Sequence, residues 1–219
     1  MSKILKGKKL SVLGDSISTY RGVSTDESAN KTLFYNPFFP WYSGEFPVEK
    51  TYWNRVIAEF ELELCVNNSW SGGNLSGEDN PDSGVNRAKN LARDDGTMPD
   101  IVILFMGMND LGRRISPKIF EADYKKTIKT IKESYGNPLI CCVNMPNRHI
   151  SVKAETEVFN QIIENAVKEA GEGVFVADLF SSELNNEGYY DNTVDGLHPD
   201  EDGMKIIADV IIETIKNID

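Results

Sequence analysis

Residues 101–110 read Ile-Val-Ile-Leu-Phe-Met-Gly-Met-Asn-Asp, an apolar run closed by a glycine and followed by polar side chains. The run is short, aliphatic and without polar alternation, which is how a strand covered on both faces of a parallel sheet reads. Four similar runs lie at 9–13, 62–66, 139–143 and 174–177. The segments between them have helical period instead. Trp53, Val56, Ile57 and Phe60 share one face, and Phe120, Tyr124, Ile128 and Ile131 share another. Phe159, Ile162, Ile163, Ala166, Val167 and Ala170 form a stripe closed by Gly171, and Met204, Ile207, Ala208, Ile211, Ile212 and Ile215 form the last. Five strands alternating with helices predict an α/β chain folded as a three-layer α/β/α sandwich. Right-handed crossovers then bring the carboxyl ends of the strands to one edge, where sites form in such sheets.

The bulk properties agree with a soluble enzyme-sized chain. The 219 residues suffice for one domain, 1–219, with a sizeable core. The net charge of −11 repels phosphate backbones and anionic lipid, so neither nucleic acid nor a membrane is expected as partner. No apolar run approaches the ~18 residues of a membrane span. The start, Met1-Ser2-Lys3-Ile4-Leu5-Lys6, lacks the apolar stretch of a signal peptide. Cys65, Cys141 and Cys142 are few and odd in number, as in a reducing compartment, and read as core residues. A cytoplasmic location is the expectation, and oligomeric state is left open. Residues 18–50 form a long aromatic-rich insert containing Phe34, Tyr35, Phe38, Phe39, Trp41, Tyr42 and Phe46. Such an insert is usually functional or disordered, and its aromatics argue against disorder.

Four polar blocks sit where the strands end. Gly14-Asp15-Ser16 follows the first. Glycine permits a tight turn there, and a helix start supplies free N–H groups around the hydroxyl. Taken alone, Ser16 reads equally well as a helix N-cap. Asp195-Gly196-Leu197-His198-Pro199 precedes the last helix. A serine hydroxyl needs a base to become a nucleophile, and His198 is one of only two histidines. Asp195 can reach back to orient that base; the alternative is a turn cap beside an incidental histidine. Gly107-Met108-Asn109-Asp110 offers a side-chain amide to a developing oxyanion, with Asp110 suited to an N-cap or turn. Asn68-Ser69-Trp70-Ser71-Gly72-Gly73 offers the Gly72 N–H.

Together these blocks resemble the SGNH hydrolase superfamily, also called GDSL esterases. Gly14-Asp15-Ser16-Ile17 stands where that family has its name-giving block, with Ile17 in the place of leucine. Gly72, Asn109 and the Asp195–His198 block match the remaining three. The resemblance implies a flavodoxin-like fold with a five-stranded parallel sheet. It implies ester hydrolysis through an acyl-enzyme, with no metal or organic cofactor. Ser16 would be nucleophile, His198 base and Asp195 its orienter, with the Ser16 N–H, the Gly72 N–H and the Asn109 amide holding the oxyanion. Asp15, Trp70, Tyr35 and Trp41 are the expected substrate contacts. The Gly-x-Ser-x-Gly elbow of α/β-hydrolases is absent from the sequence.

His149 reads as a surface-loop histidine or a substrate contact. Residues 191–202 weakly resemble a calcium loop but lack its bidentate glutamate. The glycines at 72–73 lack the lysine and spacing of a phosphate loop. The expected substrate is a small ester, with a short acyl group such as acetyl on a carbohydrate or similar alcohol. The alternatives are a non-catalytic small-ligand binding module and a lipase or thioesterase for longer chains.

Overall fold

The computed structural model describes residues 5–24, 34–36, 46–185 and 187–218. Five strands, β1 (Lys9–Gly14), β2 (Glu63–Ser69), β3 (Ile101–Phe105), β4 (Leu139–Val143) and β5 (Val174–Ala177), form one sheet. All pairings are parallel and the order is β2-β1-β3-β4-β5, the flavodoxin-like order. The sheet is wound outward from β1 in one direction and then from β3 in the other. The reversal leaves a crevice beyond the carboxyl ends of β1 and β3, between loops that leave in opposite directions.

The helices are α1 (Tyr52–Phe60), α2 (Gly84–Arg87), α3 (Met108–Gly112), α4 (Pro117–Ser134), α5 (Lys153–Ala170), α6 (Glu187–Asp191) and α7 (Glu201–Lys216). Helix α1 packs on α7 and α4 packs on α5, with helices on both sides of the sheet. The apolar stripes are what they bury. In α7, Met204, Ile207, Ala208, Ile211 and Ile215 are all buried, each large side chain contributing roughly 1.5–3 kcal/mol. Strand β3 is buried along its whole length, which explains why its sequence shows no alternation. Asp200 caps α7 by accepting from the Gly203 N–H at 2.9 Å, and Gly171 closes α5 with φ 73°.

Strand β2 runs three residues past its expected end, through Asn67, Asn68 and Ser69. These polar residues stay in the sheet because a register shift between Leu10 and Val12 brings them beside Val12, Leu13 and Gly14. Ser11 fills the irregularity, its Oγ accepting the Val66 N–H at 3.2 Å and donating to the Leu91 carbonyl at 2.8 Å. The Asn67 amide donates to the Ser18 carbonyl at 2.9 Å and that of Asn68 to the Asn90 carbonyl at 3.0 Å, so burial leaves neither amide nitrogen without an acceptor. The carboxyl ends of β1 and β2 are thereby level, and their loops open on the same side. The three cysteines are buried and free. Among the described residues no helix is long and apolar enough to cross a membrane.

Candidate active site

At the end of β1 a side chain at Gly14 would place its Cβ 2.4 Å from Ser18 Oγ and 2.7 Å from Ser69 Oγ, so only glycine fits. The chain then turns through a single 3₁₀ turn, Ser16–Ser18. Asp15, not Ser16, is its N-cap: Asp15 Oδ1 accepts the Ile17 N–H at 3.0 Å. That resolves the N-cap alternative, because the Ser16 hydroxyl is left for another partner. The partner is His198, whose Nε2 lies 2.9 Å from Ser16 Oγ across 182 positions of chain.

His198 is held from several directions. Its Nδ1 lies 2.8 Å from Asp195 Oδ2, while Asp195 Oδ1 accepts the N–H groups of Leu197 (3.0 Å) and His198 (2.7 Å). Gly196 makes this short return possible with φ 79°. A carboxylate can only accept, so Nδ1 carries the proton and the Nε2 lone pair faces Ser16. Burial raises the Asp195 pKa, but the hydrogen bonds from His198 and Leu197 outweigh it and hold the group below its ordinary value. For His198, burial lowers the pKa, Asp195 pulls it back up and Arg148 lowers it further; the net direction is down. The resting imidazole is therefore neutral near pH 7, as a general base must be. Phe34 stacks on the ring with centroids 3.4 Å apart at 16°, and Tyr35 meets it edge-on at 6.5 Å.

The other two blocks converge on the same point. Gly107 takes φ 134° at the end of β3, and a Cβ there would press on Met145 and Phe120. The turn starts α3 and presents Asn109, whose Nδ2 donates to the Gly73 carbonyl at 3.0 Å and to Asp15 Oδ2 at 3.3 Å. Gly72, with φ 71°, has its carbonyl held by Arg113 Nη1 at 2.7 Å. Asp110 is neither cap nor turn residue. It is fully buried and its carboxyl accepts the Leu75 and Ser76 N–H groups at 2.8 and 2.9 Å, lashing the loop after β2 to α3. A serine hydroxyl, an imidazole and a carboxylate thus line up beside a side-chain amide and a glycine turn, an arrangement suited to acyl transfer.

A family model described as GDSL-like Lipase/Acylhydrolase matches residues 8–215. The chain belongs to this family. As an acylhydrolase it is an ester hydrolase. It is 25% identical over 171 residues to an arylesterase of Vibrio mimicus, spanning 78% of this chain and 81% of that protein. Its fold is similar to the crystal structure of a GDSL-like lipase from Bacteroides ovatus, with a TM-score of 0.74, 20% identity and coverage of 97% of this chain and 100% of that one. A GDSL-like lipase from Bacteroides uniformis follows, with a TM-score of 0.71, 22% identity and full coverage of both chains.

Ser16 opens into a cleft of about 140 Å³ lined by Asp15, Met108, Asn109, Arg113, Arg148 and Leu197, among others. Asp15, an expected substrate contact of this GDSL-type site, reaches the cleft but is only 2% exposed. Two other expected contacts lie elsewhere. Tyr35 is fully buried, its hydroxyl donating to the Pro199 carbonyl at 2.6 Å, so it props the His198 segment and does not line the cleft. Trp70 lies under Arg87, 5.2 Å from guanidinium carbon to ring centre, and borders a separate depression. Trp41 lies outside the described residues. His149 is exposed, and its Nδ1 pairs with Ser151 Oγ at 2.7 Å. Within residues 191–202, Asp195 binds His198 and Asp200 caps α7; among the described residues no three His, Cys, Asp or Glu side chains cluster as metal ligands.

Arg148, Arg113 and Arg87 escaped sequence reasoning, because an arginine in a loop or at the end of a four- or five-residue helix carries no periodic or motif signal. Arg87 is 1% exposed and ties the carboxyl ends of β1 and β2 to the loop before α2. Its Nη1 donates to the Asn68 carbonyl at 2.6 Å, its Nη2 to the Gly14 carbonyl at 3.1 Å and its Nε to the Asp82 carbonyl at 2.9 Å.

Proposed function

We propose that Ser16, His198 and Asp195 form a catalytic triad that hydrolyses esters of short acyl groups, acetyl above all, on small hydroxylated alcohols, carbohydrates included. The observation that carries this reading is the pair of contacts at His198: 2.9 Å to Ser16 and 2.8 Å to Asp195. Ser16 Oγ attacks the carbonyl as His198 Nε2 takes its proton. Asp195 stabilises the imidazolium that forms. The tetrahedral oxyanion accepts hydrogen bonds from the Ser16 and Gly72 N–H groups and from Asn109 Nδ2. The imidazolium then protonates the leaving alcohol, and water repeats the sequence on the acyl-enzyme. Every step uses groups of this chain.

The size of the cleft supports a short acyl group. About 140 Å³ corresponds to roughly five water volumes, below the ~300 Å³ at which pockets for larger ligands begin. Two larger depressions, of about 500 and 630 Å³, are lined by other residues and do not include Ser16. We assign the whole of 1–219 to one catalytic domain, with the 18–50 insert contributing Phe34 and Tyr35 as the wall behind the base.

The experiment is labelling with an alkyl fluorophosphonate, with Ser16→Ala as control, followed by rates on acetyl, butyryl and decanoyl nitrophenyl esters. The expected result is a Ser16 adduct and a kcat/KM that falls with chain length. A folded protein that takes no label would instead be a ligand-binding module. A rate that climbs with chain length would mark a lipase or thioesterase.

A further inference from the structure

The chain carries a net charge of −11, yet two guanidinium groups, Arg113 and Arg148, stand in the wall of the small cleft beside Ser16. Arg113 is tied down: its Nη1 donates to the Gly72 carbonyl and to Asn74 Oδ1. Arg148 is different. It is half-buried on the segment after β4, and among the described residues its guanidinium makes no hydrogen bond or ion pair. It still acts on its surroundings: its charge adds to the burial that lowers the His198 pKa and opposes the burial that raises that of Tyr189.

A partly desolvated guanidinium without an acceptor is unfavourable. Here it is doubly so, because a positive charge beside His198 opposes the imidazolium that the reaction creates. An anion brought by the substrate would remove both penalties at once. The carboxylates nearby do not do so. Asp195 already binds His198 and two backbone N–H groups, and Asp15 is turned toward Ile17 and Asn109. The side of the cleft is also defined. His198 returns the proton to the departing alcohol, and Arg148 lines the cleft together with Leu197, the residue before His198, which puts it on the side of the alcohol part of the substrate.

Building on the hydrolase reading above, we propose that the preferred substrates are esters whose alcohol part bears a carboxylate, gripped by Arg148, with Arg113 as the second positive charge of the site. The acyl part stays short and neutral. A planar carboxylate matches the arginine fork with two parallel hydrogen bonds.

The test compares 4-acetoxybenzoate with 4-acetoxybenzamide, each rate divided by that ester's own alkaline hydrolysis rate. The wild type is expected to favour the charged ester by roughly 10- to 100-fold in kcat/KM, the usual range for one charge-assisted hydrogen-bonded contact. Arg148→Gln should bring that ratio near one. Lys129→Gln, on the exposed side of α4 with 72% of its side chain accessible, should leave the ratio as it is. The ratio is the readout, so a general fall in activity cancels. Equal rates on the two esters in a wild type that still takes the fluorophosphonate on Ser16 would overturn this inference and leave the hydrolase reading standing. A preserved ratio in Arg148→Gln would overturn it as well. Preference for monophenyl succinate over its amide would move the charge to the acyl side. Preference for 4-acetoxyphenyl phosphate over 4-acetoxybenzoate would replace carboxylate by phosphate. Absence of both labelling and turnover in folded protein would remove the hydrolase reading and this one together.

Discussion

Replacing Asp15 by asparagine should stabilise the protein above neutral pH and not below. Asp15 is 2% exposed, and burial raises its carboxyl from the ordinary 3.8 to about 7, against the opposing pull of the Ile17 N–H, Arg87 and Asn109. Between these two values the native chain keeps a proton that the unfolded chain has released. Native protein then binds more protons, so stability falls as pH rises through that window. Above pH ~7 the full penalty is present: about three pH units at 1.36 kcal/mol each, or ~4 kcal/mol. Asparagine never ionises and escapes it. The substitution has its own cost, because one amide must face Asn109 Nδ2, which donates to Asp15 Oδ2 at 3.3 Å; a mismatch of this kind costs ~1–3 kcal/mol. The net gain at pH 8 is therefore ~1–3 kcal/mol. At pH 4.5, less than one unit above the ordinary 3.8, only ~1 kcal/mol of that penalty has developed, so the mismatch offsets it and Asp15→Asn should be neutral or destabilising. Urea unfolding of both proteins at the two pH values measures this, and the change in their difference between pH 8 and pH 4.5 cancels the mismatch. If that change is below ~1 kcal/mol, or of the opposite sign, Asp15 is not a carboxyl that burial keeps protonated, and the reasoning is wrong.

Three further outcomes follow from the geometry. The kcat/KM of the wild type should fall in acid with a midpoint below the ordinary histidine value of 6.5, because burial and Arg148 both favour neutral His198; in Arg148→Gln the midpoint should rise, and a pH–rate profile on a neutral acetyl ester reads it. Asn109→Ala should lower kcat by ~100- to 1000-fold with little change in KM, the signature of a donor used in the transition state, measured by steady-state kinetics. Phe34→Ala removes the ring stacked 3.4 Å from His198, so kcat should drop by up to ~10-fold and the acid midpoint should move up as water reaches the imidazole.

The sheet was legible because its strands are short runs dominated by aliphatic residues, unbroken in the buried strand β3 and interrupted in β1 only by Ser11, whose hydroxyl finds partners inside. The polar end of β2 was not, since Asn67, Asn68 and Ser69 look like loop residues until the shift in the β1–β2 pairing gives them buried partners. At the site, Ser16, Gly72 and Asn109 were expected from short blocks after β1, β2 and β3, and Asp195 and His198 from the block before α7; folding brings Ser16, His198 and Asp195 within hydrogen-bond reach of one another and Asn109 beside Asp15. Tyr35 and Trp70 were misplaced because an aromatic residue in an insert or loop gives no sign of which way it turns. Tyr35 turns inward to Pro199, and Trp70 turns aside under Arg87.

Chain order alone settled the layers of the fold, the edge at which chemistry would gather and the types of group assembled there. Those properties are local: hydrophobic period, glycine turns and blocks of a few residues. Folding alone decided that Ser16 and His198 meet at 2.9 Å, that Phe34 stacks on the His198 ring and that Arg148, without a hydrogen bond or ion pair among the described residues, shares a cleft with Ser16. These depend on how distant segments pack and on how burial weakens the solvation of charge. No single stretch of sequence encodes either.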